Sequence, residues 1–232
     1  MIEYKYIEKL NFEIPESLLS KVKEIGPAPP NISGLVRMPL YKQINRLLFQ
    51  KKFESTQLAD KYVTGDELRE MSGRLDVLDT NWRSKLGEFR ILDITGKLAD
   101  DIIQCLPIQL QKLQPKVCLQ TKASGGYITP PHRDHERSCT FWCLLQGNDE
   151  QTVWHEKSGN FTEYDFWRIA DPRCVTEVKR ATLTQHIWYL FDNDSYHSVD
   201  AVNTPTLDRT TLCIEFTGIR AKDLYQLYEQ SR

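Results

Sequence analysis

The chain has 232 residues, with 30 Lys and Arg against 32 Asp and Glu and a formal net charge of −2, so it lacks the basic excess of a general nucleic-acid binder. Its longest apolar runs are five residues, Phe141 to Leu145 and Ile187 to Phe191, far short of the roughly 20 that span a bilayer as a helix. Met1 to Tyr6 offers no apolar stretch for a secretory signal, and a cytoplasmic protein without membrane contact is expected.

The length suffices for one large domain with a substantial core. Glu16 to Ile25 reads as a short amphipathic helix, stopped by Gly26-Pro27-Ala28-Pro29-Pro30, whose prolines cannot continue a helix. A second helix is expected over Leu40 to Phe53, where Ile44, Leu47 and Leu48 keep helical spacing. Lys61 to Phe89 is polar and charged and reads as a lid or surface excursion. The strongest helical signal runs from Lys97 to Leu113, with Leu98, Ile102, Leu106, Leu110 and Leu113 on one face and a kink expected at Pro107.

From Val117 the pattern changes to short β-rich runs. Eight strands are predicted: Val117 to Lys122, Tyr127 to Asp134, Cys139 to Gln146, Thr152 to Glu156, Cys174 to Lys179, His186 to Asp192, Tyr196 to Val202 and Thr210 to Phe216. Such a set after a helical preamble suits a two-sheet jelly-roll core. In the last run Arg209, Thr211, Cys213 and Glu215 alternate with Thr210, Leu212, Ile214 and Phe216. One face suits a barrel mouth and the other an apolar cover, for which Lys97 to Leu113 is the natural candidate.

Six cysteines, at 105, 118, 139, 143, 174 and 213, form no Cys-x-x-Cys pair and read as buried free thiols in a reducing compartment. His132 and Asp134 stand two apart, so on an extended strand both point to one face. His197 follows 63 residues after Asp134, and Arg209-Thr210-Thr211 comes 12 residues beyond it. Two imidazoles and one carboxylate form the facial ligand set of non-haem Fe(II). Each residue alone has an ordinary reading: a surface histidine, a turn aspartate, a core imidazole. Order, spacing and strand context together argue for a metal site at His132, Asp134 and His197.

Arg209 and Thr211 share a face, where a guanidinium fork beside a hydroxyl suits a carboxylate. The alternative for Arg209 is an ion pair with Asp208 or Glu215. Gln120 and Lys122 share a face of the first strand and could add hydrogen bonds, or be solvated strand polars. Tyr127, Trp142, Trp154 and Trp188 are candidates for a substrate wall or for core. Arg37, Lys42, Arg46 and Arg133 could recognise an acidic group or a substrate carboxylate, and a solvated helical face explains the first three equally well. His135, His155 and His186 read as spectators.

His132-Arg133-Asp134, His197 and Arg209-Thr210-Thr211, within about Val117 to Gly218, resemble the double-stranded β-helix oxygenases that depend on Fe(II) and 2-oxoglutarate. Pro131-His132-Arg133-Asp134 before the strand from Cys139 looks most like the aspartyl/asparaginyl β-hydroxylase and small amino-acid hydroxylase branch. Where that branch carries Arg-x-His on this strand, the chain has Arg137 earlier and Phe141 and Cys143 in place.

The resemblance implies a mainly β fold with flanking helices: a helical region over 1–115, a cupin-like double-stranded β-helix core over 116–220 and a C-terminal helix over 221–232. It implies His132, Asp134 and His197 as catalytic metal ligands and Arg209 and Thr211 as co-substrate residues, to which Gln120 is added from its place on the first strand. The expected cofactors are Fe(II), 2-oxoglutarate and O2, the expected products succinate, CO2 and a hydroxylated amino acid or peptidyl residue. Halogenases of the superfamily look like hydroxylases whose carboxylate ligand is Gly or Ala, and Asp134 argues against that chemistry. The alternatives are oxidative demethylation by the same chemistry and a non-catalytic cupin-like binding protein.

Overall fold

Along the strand Arg209–Phe216, Leu212, Ile214 and Phe216 enter one apolar cluster and Cys213 another, as the period-two alternation of side chains requires. Two faces with two different partners set the architecture. The computed structural model describes residues 5–25, 89–122, 129–134, 137–147, 150–159, 170, 174–200 and 208–231. Its elements are β1 (Ile7–Lys9), α1 (Glu16–Glu24), β2 (Phe89–Ile94), α2 (Lys97–Gln104), α3 (Ile108–Gln111), β3 (Lys116–Lys122), β4 (Thr129–His132), β5 (Cys139–Gln146), β6 (Gln151–Lys157), β7 (Val175–Thr182), β8 (Trp188–Asp192), β9 (Tyr196–Asp200), β10 (Arg209–Phe216) and α4 (Ala221–Gln230).

The strands form a six-stranded sheet in the order β1-β8-β5-β10-β3-β2 and a four-stranded sheet in the order β4-β9-β6-β7. From β3 to β10 the chain passes repeatedly between the two sheets, the winding of a double-stranded β-helix, or jelly roll. The eight predicted strands correspond to β3 through β10, with ends displaced by a few residues.

Two strands were not anticipated. Ile7–Lys9 is only three residues long and joins the large sheet by pairing with β8. Phe89–Ile94, whose first residue alone fell within the predicted surface excursion, pairs with β3 along its whole length. The described part of residues 1–115 is therefore helical and β-stranded, because both segments find a sheet edge. The predicted kink at Pro107 is a break: α2 ends at Gln104 and Pro107, with ψ 143°, opens α3. A proline has no N–H to donate and drives the preceding residue out of helical conformation.

The main core lies between the outer face of the large sheet and the helices. Ile102 and Leu110 from α2 and α3, Val22 from α1, and Leu224 and Tyr228 from α4 pack with Leu119, Phe141, Leu190, Leu212, Ile214 and Phe216. Each such aliphatic or aromatic side chain, fully buried, contributes roughly 1.5–3 kcal/mol. Phe141 sits at the centre, 5.9 Å from Phe12, 5.2 Å from Phe216 and 5.8 Å from Tyr228 between ring centres. Between the sheets a second cluster gathers Ile7, Cys118, Trp142, Leu144, Trp154, Leu183, Phe191 and Cys213. All six cysteines are free thiols, four of them buried.

The predicted helix over Leu40 to Phe53, the excursion Lys61 to Phe89 apart from its last residue, and Tyr127, Arg37, Lys42, Arg46 and His135 lie outside the described residues. Among the described residues no helix is long and apolar enough to cross a membrane.

Candidate metal centre

In the four-stranded sheet β4 and β9 are antiparallel neighbours, and their register sets His132 directly opposite His197. Directly opposed residues project to the same face, and the two imidazole centres stand 4.4 Å apart. Asp134, two residues on, turns its Oδ1 toward His132 Nε2 at 3.7 Å. One ligand atom from each of His132, Asp134 and His197 falls within 4.8 Å of the others. Two nitrogens and one oxygen so grouped could hold a metal ion.

His197 and Asp134 are each oriented by a partner outside the cluster. His197 Nδ1 lies 3.0 Å from the Ser195 carbonyl oxygen. A carbonyl only accepts, so Nδ1 carries the proton and Nε2 keeps its lone pair. Burial, reinforced by His132, pushes the His197 pKa down to about 3 against the opposing pull of Asp134. The ring is therefore neutral at pH 7, the state a metal requires. Phe191 packs edge-on against it at 5.1 Å.

Asp134 is held more elaborately. Its Oδ2 accepts from Arg137 Nε at 2.6 Å and from Asn193 Nδ2 at 2.5 Å, and its backbone N–H donates to the Asn193 carbonyl at 3.1 Å. Asn193 is held in turn by Thr140, whose hydroxyl donates to its Oδ1 at 2.8 Å, and by its own N–H, which donates to the Ser138 carbonyl at 3.0 Å. Burial alone would raise the Asp134 carboxyl, but Arg137, His197 and His132 together hold it well below the usual carboxylate range. Arg137 also donates from Nη1 to Glu215 Oε1 at 2.6 Å. Its two carboxylate partners outweigh burial and keep it charged.

Arg209 begins β10 on the inward face. It is 3% exposed, its Nη1 is buried without a hydrogen-bond partner, and its guanidinium carbon lies 5.1 Å from the Trp142 ring centre. Among the described residues no carboxylate pairs with it: Glu215, one predicted partner, is engaged by Arg137. Thr211 is buried opposite Gln120 across the β10–β3 ladder, and Gln120 donates to Glu215 at 3.4 Å.

Of the aromatic candidates, Trp142 and Trp154 lie between the sheets, whereas Trp188 packs outward against Phe12 at 5.1 Å. His155 is buried with its Nε2 2.8 Å from Ser198 Oγ, and His186 is exposed. Neither joins the ligand cluster. Arg133 lies over the Tyr196 ring at 5.3 Å. A surface cleft of about 350 Å³ runs along Lys5, Tyr6, Asp192, Asp194, Arg220 and Lys222 and contains none of the three ligand residues.

Four residues around the centre escaped sequence reasoning: Asn193, Ser195, Glu215 as the partner of Arg137, and Arg137 as the partner of Asp134. The turn Asn193-Asp194-Ser195 shortly before His197 was a legible loop signal. Its hydrogen bonds to two different strands were not.

No protein-family model matches the chain, and no curated protein does. Among solved structures it is similar to a vicilin from Solanum melongena, at 14% identity and a TM-score of 0.35 over 56% of this chain and 28% of that one. It is similar to E. coli ycfD at 10% identity and a TM-score of 0.39, over 64% of this chain and 39% of the other. A cupin 2 domain-containing protein from Halorhodospira halophila aligns at 14% identity and a TM-score of 0.30, over 60% and 76%. The chain thus spans well under half the length of the first two. Likeness at this level carries no function, and the fold assignment rests on the chain's own strand order: a mostly antiparallel jelly roll with a His/Asp/His cluster between its sheets.

Proposed function

We propose that this chain is an Fe(II)- and 2-oxoglutarate-dependent dioxygenase that hydroxylates an amino acid or an amino-acid residue in a peptide, with succinate and CO2 as co-products. The observation that carries the reading is Arg209, a buried guanidinium with an unpartnered Nη1 on the inward face of the barrel that also holds the His/Asp/His cluster. A buried cationic donor without a partner is costly, and an anionic ligand entering the barrel would satisfy it.

His132 and His197 would hold the iron through nitrogen and Asp134 through Oδ1, the oxygen that faces His132. Bound Fe(II) would supply the activation of O2 that couples oxidative decarboxylation of 2-oxoglutarate to hydroxylation. Arg209 would pair with the far carboxylate of the co-substrate, with Thr211 and Gln120 beside it, while Trp142, Trp154 and Phe191 keep the interior dry. A dry interior strengthens each charge interaction made there.

Anaerobic titration of the metal-free protein with Fe(II) and then 2-oxoglutarate tests this. A weak visible charge-transfer band and succinate release on admitting O2 with amino acids or peptides are expected. Metal binding without the band would favour a cupin-like binding protein, and formaldehyde among the products would favour oxidative demethylation.

A further inference from the structure

We propose that Arg137 and Asn193 are positioning residues that clamp one oxygen of Asp134, so that a metal receives the other oxygen alone and keeps room for a two-atom co-ligand. The inference rests on reading His132, Asp134 and His197 as the metal ligands. It concerns how the carboxylate is presented, which the identity of the ligands leaves open.

A carboxylate can meet a metal through one oxygen or through both, and the second mode occupies an additional position. In Asp134 the oxygens are used differently. Oδ2 accepts Arg137 Nε at 2.6 Å and Asn193 Nδ2 at 2.5 Å, whereas Oδ1 is directed at His132 Nε2 from 3.7 Å. With two donors on it, one of them charged, Oδ2 has its lone pairs engaged. Turning the carboxylate so that both oxygens reach one metal would break both bonds.

The clamp cannot follow such a rotation, because each jaw is fastened elsewhere. Arg137 is tied through Nη1 to Glu215 on β10 at 2.6 Å. Asn193 is 1% exposed, and its backbone and side-chain polar groups are all bonded, to Ser138, Thr140 and Asp134. Asp134 follows β4 in the small sheet, while Glu215 and Thr140 belong to β10 and β5 in the large one. The clamp therefore fixes a ligand of one sheet against the frame of the other. The same Ser195 to Asn193 turn orients His197 through its carbonyl, so one short segment serves two of the three donors.

The test uses the full chain with Co(II) as the spectroscopic probe, reading affinity by chelator competition and coordination from the visible spectrum before and after 2-oxoglutarate. Arg137→Gln and Asn193→Ala should each weaken Co(II) binding about 10- to 100-fold and alter the Co(II) spectrum, with weakened uptake of 2-oxoglutarate onto the loaded protein. A purely structural pair would lower thermal stability and leave affinity and spectrum at wild-type values, and that result overturns the proposal. Should Arg137→Gln fail to fold, Arg137→Lys and Thr140→Val carry the test on the same readouts, with unchanged affinity and spectrum again overturning it. Failure of the wild-type chain to bind Co(II) would instead overturn the metal-site reading itself.

Discussion

The guanidinium carbon of Arg209 stands 5.1 Å from the centre of the Trp142 ring, and its buried Nη1 has no hydrogen-bond partner. The ring face offers a cation–π contact that steadies the charge without using its donors. Hydrogen bonds involving a charged group contribute about 1.5–3 kcal/mol each, so Arg209→Gln should weaken 2-oxoglutarate binding to the metal-loaded protein about 10- to 150-fold by calorimetry. Metal affinity should be unchanged, and Arg209→Lys should recover only part of the loss, lacking the planar fork. Unchanged 2-oxoglutarate affinity in Arg209→Gln would remove Arg209 from the site.

His132 and His197 oppose each other across two neighbouring strands, so loss of either ring leaves a two-donor fragment. Since disturbing even the outer partners of metal ligands costs about 10- to 100-fold in affinity, His132→Ala or His197→Ala should lower Fe(II) affinity by more than about 100-fold. Anaerobic thermal melts read this directly: saturating metal raises the midpoint of the wild type through mass action and leaves either variant where it was.

Acid should destabilise the metal-free protein earlier than its carboxylates alone would dictate. His197 titrates near 3 in the fold against 6.5 in a free chain, chiefly through burial. Below about 6.5 the unfolded chain binds a proton that the folded state refuses, so stability is full above that pH and falls progressively toward 3. Asp134, held below its ordinary 3.8, adds a further loss that begins only as pH falls below about 3.8. Urea midpoints at pH 7.5 and pH 5 should therefore differ, and His197→Gln should flatten that difference. A wild-type midpoint constant over this interval would contradict the account.

Phe141 and Trp142 are adjacent on β5 and face opposite ways, one into the helix-covered core and one between the sheets. Phe141→Ala should cost about 3–5 kcal/mol through the cavity it leaves, read as a lower urea midpoint. Co(II) affinity of the folded fraction should stay at the wild-type value.

Thiol chemistry offers a check on burial. Cys118, Cys139, Cys143 and Cys213 are buried, while Cys105 and Cys174 are partly accessible. Burial raises the Cys139 thiol and, with Cys213, pushes Cys143 up to about 12, so neither forms the reactive thiolate. A disulfide reagent on the native protein should label Cys105 and Cys174 first, followed by the other four only on unfolding. Rapid labelling of Cys143 would contradict the packing of β5.

Much of the barrel was legible because alternation is local. The eight runs from Val117 onward reappear as β3 to β10, and the inward and outward faces of β10 divide as their residue types predict. Among the described residues, His132, Asp134 and His197 bring one donor atom each within 4.8 Å of the others. Pro107 was legible as a disturbance, but whether it bends or breaks a helix depends on what the flanking turns pack against. β1 was illegible because three residues carry no periodicity, and they become a strand only by pairing with β8.

Sequence alone determined which residues could share a face, since side-chain direction repeats every two residues along any extended backbone. That rule placed His132 with Asp134 and Arg209 with Thr211 before any contact was known. Only the tertiary structure decided that His132 meets His197, that Asn193 reaches Asp134 across 59 residues, and that Arg137 answers Glu215 across 78. Those pairings depend on strand register and on how loops return the chain, and both are settled by the collective packing of two sheets rather than by any local run of residues.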